Sequence, residues 1–180
     1  MRSWAADLLH FWFHELNEAQ RFARNDAVDA ELRRRFGRWL AAMGKRSPRE
    51  FLRDVDTARA AILLFDQVPR NLFRDDPRAF ACDALARGIA RGIMRRGWDV
   101  GLSATARQFV YMPLMHSEDI ADQRESLRRF AALGDSGHFA FARAHYRMIA
   151  RFGRFPHRNA VLGRKSTPAE KRAIAAGNRW

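Results

Sequence analysis

Cysteine occurs once in these 180 residues, tyrosine twice and lysine three times, and no apolar run is long. The lone Cys82 excludes an internal disulfide and any multi-cysteine metal cluster, and reads most simply as a small buried residue within Phe80-Ala81-Cys82-Asp83-Ala84. Spanning a bilayer takes roughly 20 apolar residues. The apolar stretches at 60–65 and 109–115 are far shorter and are bordered by charge or by Pro113, so no membrane partner is expected. Asp7 arrives before any signal-like stretch has formed, which predicts a soluble, cytoplasmic protein. There is no glycine-rich phosphate loop, no serine nucleophile elbow and no sustained heptad pattern, so no cofactor is expected. Nor does any segment alternate apolar and polar residues for long enough to make a half-buried strand.

Carboxylates are also scarce, and unevenly so. Lys and Arg number 33 against 20 Asp and Glu, a net charge of +13, and 30 of the 33 are arginine. Residues 1–90 hold 16 basic and 13 acidic side chains, whereas 91–180 hold 17 and 7. Within 138–180, ten basic residues accompany a single carboxylate, Glu170. Such an excess raises nucleic acid as a partner, because neutralising phosphates is the commonest use of a strongly basic surface. No long basic run and no recognised nucleic-acid motif accompanies it, so a solvated face is the simpler reading.

What is present almost throughout is apolar spacing of helical period, which predicts an all-α chain. Leu8, Leu9, Trp12, Phe13 and Leu16 share one face of a helix over 4–16, and Val28, Leu32, Phe36, Trp39, Leu40 and Met43 share one over 26–43. Ser47-Pro48-Arg49-Glu50 and Thr167-Pro168-Ala169-Glu170 are both capping-box starts. Further helices are expected from Ser47 to about Asp66, from Asp76-Pro77 to near Gly97, from Ser103 to an interruption at Pro113, from a Ser117 cap to Leu133, and from about 138 to the break at Gly153 and Pro156. Short links favour antiparallel neighbours, and 180 residues suffice for one core but hardly two. The expectation is a single domain of stacked antiparallel hairpins over residues 1–180.

Three dense polar motifs sit at the helix breaks: Asp66-Gln67-Val68-Pro69-Arg70-Asn71-Leu72-Phe73-Arg74, His116-Ser117-Glu118-Asp119, and Arg151-Phe152-Gly153-Arg154-Phe155-Pro156-His157-Arg158-Asn159. In the first, Pro69 disfavours helical geometry at Val68, so a helix should end near Gln67. Arg70 and Arg74, four apart, then project together as an anion clamp or pair with local carboxylates such as Asp66. In the second, a histidine lies beside two carboxylates, which suits acid and base chemistry by His116, Glu118 and Asp119; helix capping is the plainer use of the two acids. In the third, Gly153 and Pro156 force the chain out of the helix and leave Arg154, His157, Arg158 and Asn159 able to surround an anion. A metal could use His116 with Glu118 or Asp119, but His145 or His157 would have to fold in from afar, and His10 and His14, four apart on one helix face, read beside Trp12 and Phe13 as boundary residues, so a metal site has little support. The motifs together hold five arginines and three carboxylates, and that surplus favours an anion site over an acid-base site.

Over most of its length the chain resembles the bacterial family of unknown function numbered 924. The resemblance rests on Leu9-His10-Phe11-Trp12-Phe13, on the 66–74 motif, on Ala79-Phe80 with Asp83, on His116-Ser117-Glu118-Asp119 with Gln123, and on 151–159 continuing to Leu162-Gly163-Arg164 and Ser166-Thr167. Arg21 stands where an aromatic residue is expected and Val28 where phenylalanine is. The resemblance implies tetratricopeptide-like helical hairpins and supplies no reaction, substrate or cofactor.

The first functional reading is an inter-helix polar pocket for a small anionic ligand. Asp66, Gln67, Arg70, Asn71, Arg74, Arg154, His157, Arg158 and Asn159 would bind and orient it, and His116 with Glu118 or Asp119 would move protons in any turnover. The second is a module that binds a peptide segment in a groove between hairpins, its polar motifs purely structural. The third is nucleic-acid binding through the basic carboxy-terminal region. The first two share one consequence: acidic and basic motifs meet in space.

Overall fold

The computed structural model describes residues 1–177, so Arg179 of the basic region lies outside the described residues. Those residues form helices and turns with no strand among them, so the chain is all-α. The helices gather into two compact units. Unit 1 comprises Met1–Arg74 and Arg78–Pro113, and unit 2 comprises Asp75–Pro77 and Leu114–Trp180.

Unit 1 begins with α1 (Ser3–His10), which widens directly into a π-helical turn, Phe11–Glu15. The helix expected over 4–16 is therefore real but not regular. Its last carbonyls are satisfied by Arg21, whose guanidinium donates to the Trp12 and Leu16 carbonyls, both at 2.9 Å, and to Phe13 at 3.3 Å. Arg21 thus closes a broken helix end. A short α2 (Glu18–Phe22) and the long α3 (Asp26–Met43) follow. In α3, Val28, Leu32, Phe36, Leu40 and Met43 line the buried face as their spacing requires.

Ser47 and Glu50 complete their capping box, but the turn they start is only a 3-10 turn, Pro48–Phe51. Asp54 then caps α4 (Val55–Ile62), accepting from the Thr57 amide at 2.8 Å. A second π turn, Leu63–Gln67, leads into α5 (Val68–Leu72). The expected helix end at Gln67 does not occur: Val68 is helical (φ −56°, ψ −45°), and its amide bonds the Leu63 carbonyl, five residues back. The wider turn relieves the clash that a proline ring makes with an α-helical turn, so Pro69 sits inside the first turn of α5.

A 3-10 turn, Pro77–Phe80, is followed by the helix α6 (Asp83–Arg95) of unit 1. Gly88 and Gly92 make room there for the 48–52 segment. A Cβ on Gly88 would lie 2.8 Å from Pro48 Cγ, and one on Gly92 would overlap the Leu52 side chain. In this unit α1 packs on α4, α3 on α5 and α4 on α6. Cys82 is half-buried beside the Gly44 carbonyl, and burial raises its thiol pKa.

The helix α7 (Ala104–Met115) starts at Ser103, whose hydroxyl accepts from the Ala106 amide, and carries Pro113 inside its last turn without ending there. In unit 2, α8 (Ile120–Leu133) and α9 (Ser136–Phe152) pack together as a hairpin joined by Gly134 and Asp135. Gly153 adopts φ +67° to end α9, and a 3-10 turn, Pro156–Arg158, packs against α10 (Pro168–Ala175). Met148, Ile149, Phe155 and Ala173 form the apolar centre of this region. No helix among the described residues is long and apolar enough to cross a membrane.

Candidate functional site

The 66–74 motif binds unit 1 to itself. Asp66 is fully buried (0% exposed) and accepts from the Gln67 side-chain amide at 2.6 Å. Arg70 donates to the Asp66 carbonyl at 2.6 Å and grips Asp83 with both guanidinium nitrogens, at 2.9 and 3.0 Å. Arg74 holds Asp29 in the same two-pronged way, at 3.0 and 3.1 Å, and donates a third bond to the Asn71 side-chain oxygen. Asn71 in turn donates to the Gln67 carbonyl. Arg70 and Arg74 therefore point to different helices, α6 and α3, and tie α5 to both. Their carboxylate partners lie 13 and 45 residues away in sequence, which is why the motif read alone shows a surplus of positive charge.

The second and third motifs do meet, within unit 2. Glu118 accepts from the Phe155 amide at 2.8 Å and receives both guanidinium nitrogens of Arg164, at 2.8 and 3.0 Å. Burial pushes its carboxyl pKa up, but Arg164 and the Phe155 amide outweigh that and leave it below its ordinary value. Asp119, and not Ser117, caps α8 by accepting from the Ala121 amide at 2.8 Å. Ser117 donates to the buried Asp122 at 2.8 Å. Gln123 supplies its amide to the carbonyls of Met115 and Ser117, at 2.6 and 2.7 Å, and so finishes the end of α7.

In the third motif Arg154 is bidentate to Glu170, at 2.7 and 3.0 Å, and this pairing with the Thr167 amide brings the Glu170 pKa down to about 2. Asn159 is fully buried and bonds Ser166 at 3.0 Å, which holds the loop before α10. Arg151, at the end of α9, lies exposed over the Phe152 ring.

Three side chains, His145, His157 and Arg158, gather around the fully buried ring of Phe155, and a fourth, His116, faces His145. His116 lies 6.1 Å from His145 between ring centroids, His145 lies 5.4 Å from Phe155, and Phe155 lies 5.6 Å from His157. The Arg158 guanidinium covers the same ring at 4.5 Å. His145, 3% exposed, reads from the sequence only as a remote metal ligand and not as part of an anion site, because α9 presents it as one more core-facing position. Burial, reinforced by His116, takes its pKa down to about 3. Burial and the neighbouring Arg158 take that of His157 down to about 4. Both imidazoles are neutral at pH 7, and His145 then donates from Nδ1 to the Phe141 carbonyl at 2.9 Å. Of the expected residues, His116, His157 and Arg158 converge here; Glu118, Asp119, Arg154 and Asn159 frame the site; and the 66–74 residues form the network of unit 1.

A separate cleft of about 430 Å³ opens in unit 1, beside the first π turn. His10 and His14 stand on its wall with rings stacked at 5.3 Å, together with Phe13 and an Asp56–Arg59 pair at 3.0 Å. No residue of the three motifs lines it. Among the described residues no three His, Cys, Asp or Glu side chains are placed so that they could hold a metal ion.

Comparison with known proteins gives a family and no reaction. None of the curated proteins matches the chain. A solved structure of a protein of unknown function from Agrobacterium tumefaciens is similar, with a TM-score of 0.90 and 36% identity across 96% of this chain and 97% of that one. The model of a family described as bacterial protein of unknown function (DUF924) matches residues 8–178. With nearly the whole length matched, the chain belongs to this bacterial family of unknown function.

Proposed function

We propose that unit 2 binds a small anionic ligand where His116, His157 and Arg158 meet, with His145 behind them. The observation that supports this reading is the packing of two imidazoles and a guanidinium on Phe155 with a third imidazole, His116, against His145, while Glu118, whose charge reaches His157, is committed to Arg164. A guanidinium matches phosphate or carboxylate with two parallel bonds, and neutral imidazoles can add N–H donors with no second fixed charge to repel the first. His116 and His157 are half-buried, so a ligand can reach them from solvent. In any turnover the proton-transfer group would be His116 alone, because Glu118 and Asp119 are occupied by Arg164 and by the start of α8.

The test is a thermal-shift titration with inorganic phosphate and with citrate. Binding to the folded state alone raises the melting temperature in a saturable way. The wild type and Arg70→Lys should both show the rise, because Arg70 is part of the unit 1 network. Arg158→Lys and His157→Gln should lose it while keeping the unliganded helical spectrum. A rise of equal size in all four proteins, or none in the wild type, removes the reading.

A further inference from the structure

Many arginines of this chain are answered by carboxylates, and those on the outer face of α9 are not. Arg35, Arg70, Arg74, Arg129, Arg154 and Arg164 each hold an Asp or Glu. The helix α9 contains no acidic residue at all. Arg143, Arg147 and Arg151 recur on it at every fourth position and are all exposed, and none of them pairs with a carboxylate among the described residues. At a rise of 1.5 Å per residue they form a row of three guanidinium groups about 6 Å apart along one line of the helix.

The flanks of that row are aromatic. Phe139 and Tyr146, seven residues apart, fall on one side of it, and Phe141 and Phe152, eleven apart, on the other. Phe141 is 55% exposed and the other three are half-buried. Two of the arginines already lie over these rings, Arg143 at 5.8 Å from Phe139 and Arg151 at 4.9 Å from Phe152. Ala140, Ala144 and Ala150 fill the outer face between the arginines and leave it low enough for a chain to approach closely.

We infer that the outer face of α9 binds single-stranded nucleic acid, its phosphates on Arg143, Arg147 and Arg151 and its bases against the flanking aromatic rings. Guanidinium forks suit phosphate oxygens, and aromatic faces stack any base, so the pairing of the two gives affinity with little sequence preference. An acidic peptide would use the arginines and leave the rings idle. An anionic membrane would need the apolar side chains at the centre of the exposed face, where this helix places arginine and alanine.

The test measures anisotropy of short labelled oligothymidylate and oligouridylate strands with the full chain across a salt series. Three neutralised phosphates on a single strand predict a slope of about −2 in log affinity against log salt. The triple variant Arg143→Gln/Arg147→Gln/Arg151→Gln should weaken binding about tenfold or more at low salt and flatten the slope. A charge-matched control, Arg38→Gln/Arg49→Gln/Arg53→Gln on exposed positions of unit 1, should leave binding within about twofold. All substitutions are of exposed side chains, and circular dichroism checks that the helices persist. Equal weakening by both triple variants overturns the inference, as does failure to bind either strand at low salt. So does α9-dependent binding of phosphatidylserine vesicles with no binding of the strands.

Discussion

Lowering the pH from 7 to 5 should destabilise this protein through two imidazoles. His145 and His157 have pKa values brought down from 6.5 to about 3 and about 4. Below pH 6.5 the unfolded chain therefore takes up protons that the folded chain refuses, and stability falls with pH until the folded values are reached. Each group contributes about 1.4 kcal/mol per pH unit in that window, so each costs about 2 kcal/mol at pH 5 and the pair about 4 kcal/mol. Such a loss is a large share of the ~5–15 kcal/mol that holds a typical domain together. The carboxylates with lowered pKa, Glu118 and Glu170 among them, lose their contribution only below their unfolded value of 4.5, so this window isolates the histidines. Urea midpoints at pH 7, 6 and 5 measure the effect, and His157→Gln should remove about half of the pH dependence. A midpoint unchanged between pH 7 and 5, or a full pH dependence in the variant, would refute the buried neutral state of these rings.

Two structural predictions follow from unit 1. Asp83→Ala takes the two-pronged partner from Arg70, which also pairs with the fully buried Asp66, and should lower the unfolding free energy by about 3 kcal/mol with no effect on anion-induced thermal shifts. Gly92→Ala gains helix propensity but overlaps Leu52, so urea unfolding should show a net loss of about 1–2 kcal/mol; a stabilised variant would mean that the 48–52 segment does not press on α6.

The helical periodicity and the capping boxes were legible in the sequence because they are local. The spacing in α3 marked its buried face, and Thr167-Pro168-Ala169-Glu170 caps the helix expected of it, whereas Ser47-Pro48-Arg49-Glu50 closes its capping box on a 3-10 turn and leaves the start of α4 to Asp54. Pro69 misled because its ring is accommodated by a π turn, a widening of the helix that residue spacing does not signal. Ser117 misled in a similar way: Asp119, two residues on, is the stronger acceptor and takes the cap.

The site was harder to read for a different reason. The surplus of arginine in the motifs was real only in one dimension, since Asp29, Asp83 and Glu170 reach in from other helices to answer Arg74, Arg70 and Arg154. His145, a polar side chain on a core-facing line of α9, could be named from the sequence as a remote candidate but not placed. Only its approach to His116 and Phe155 distinguishes it from a boundary residue. The i, i+4 spacing of Arg143, Arg147 and Arg151 can be read from the sequence, whereas their lack of carboxylate partners among the described residues is seen only in the structure.

The most direct measurement is a proton NMR titration of the imidazole resonances of the six histidines with inorganic phosphate at pH 7. An anion site in unit 2 predicts saturable shifts confined to His116, His157 and His145, with His10, His14 and His138 unmoved, and no saturable shift in Arg158→Lys. Shifts of His10 and His14 in place of these would put the ligand in the cleft of unit 1, and uniform or absent shifts would contradict an anion site altogether.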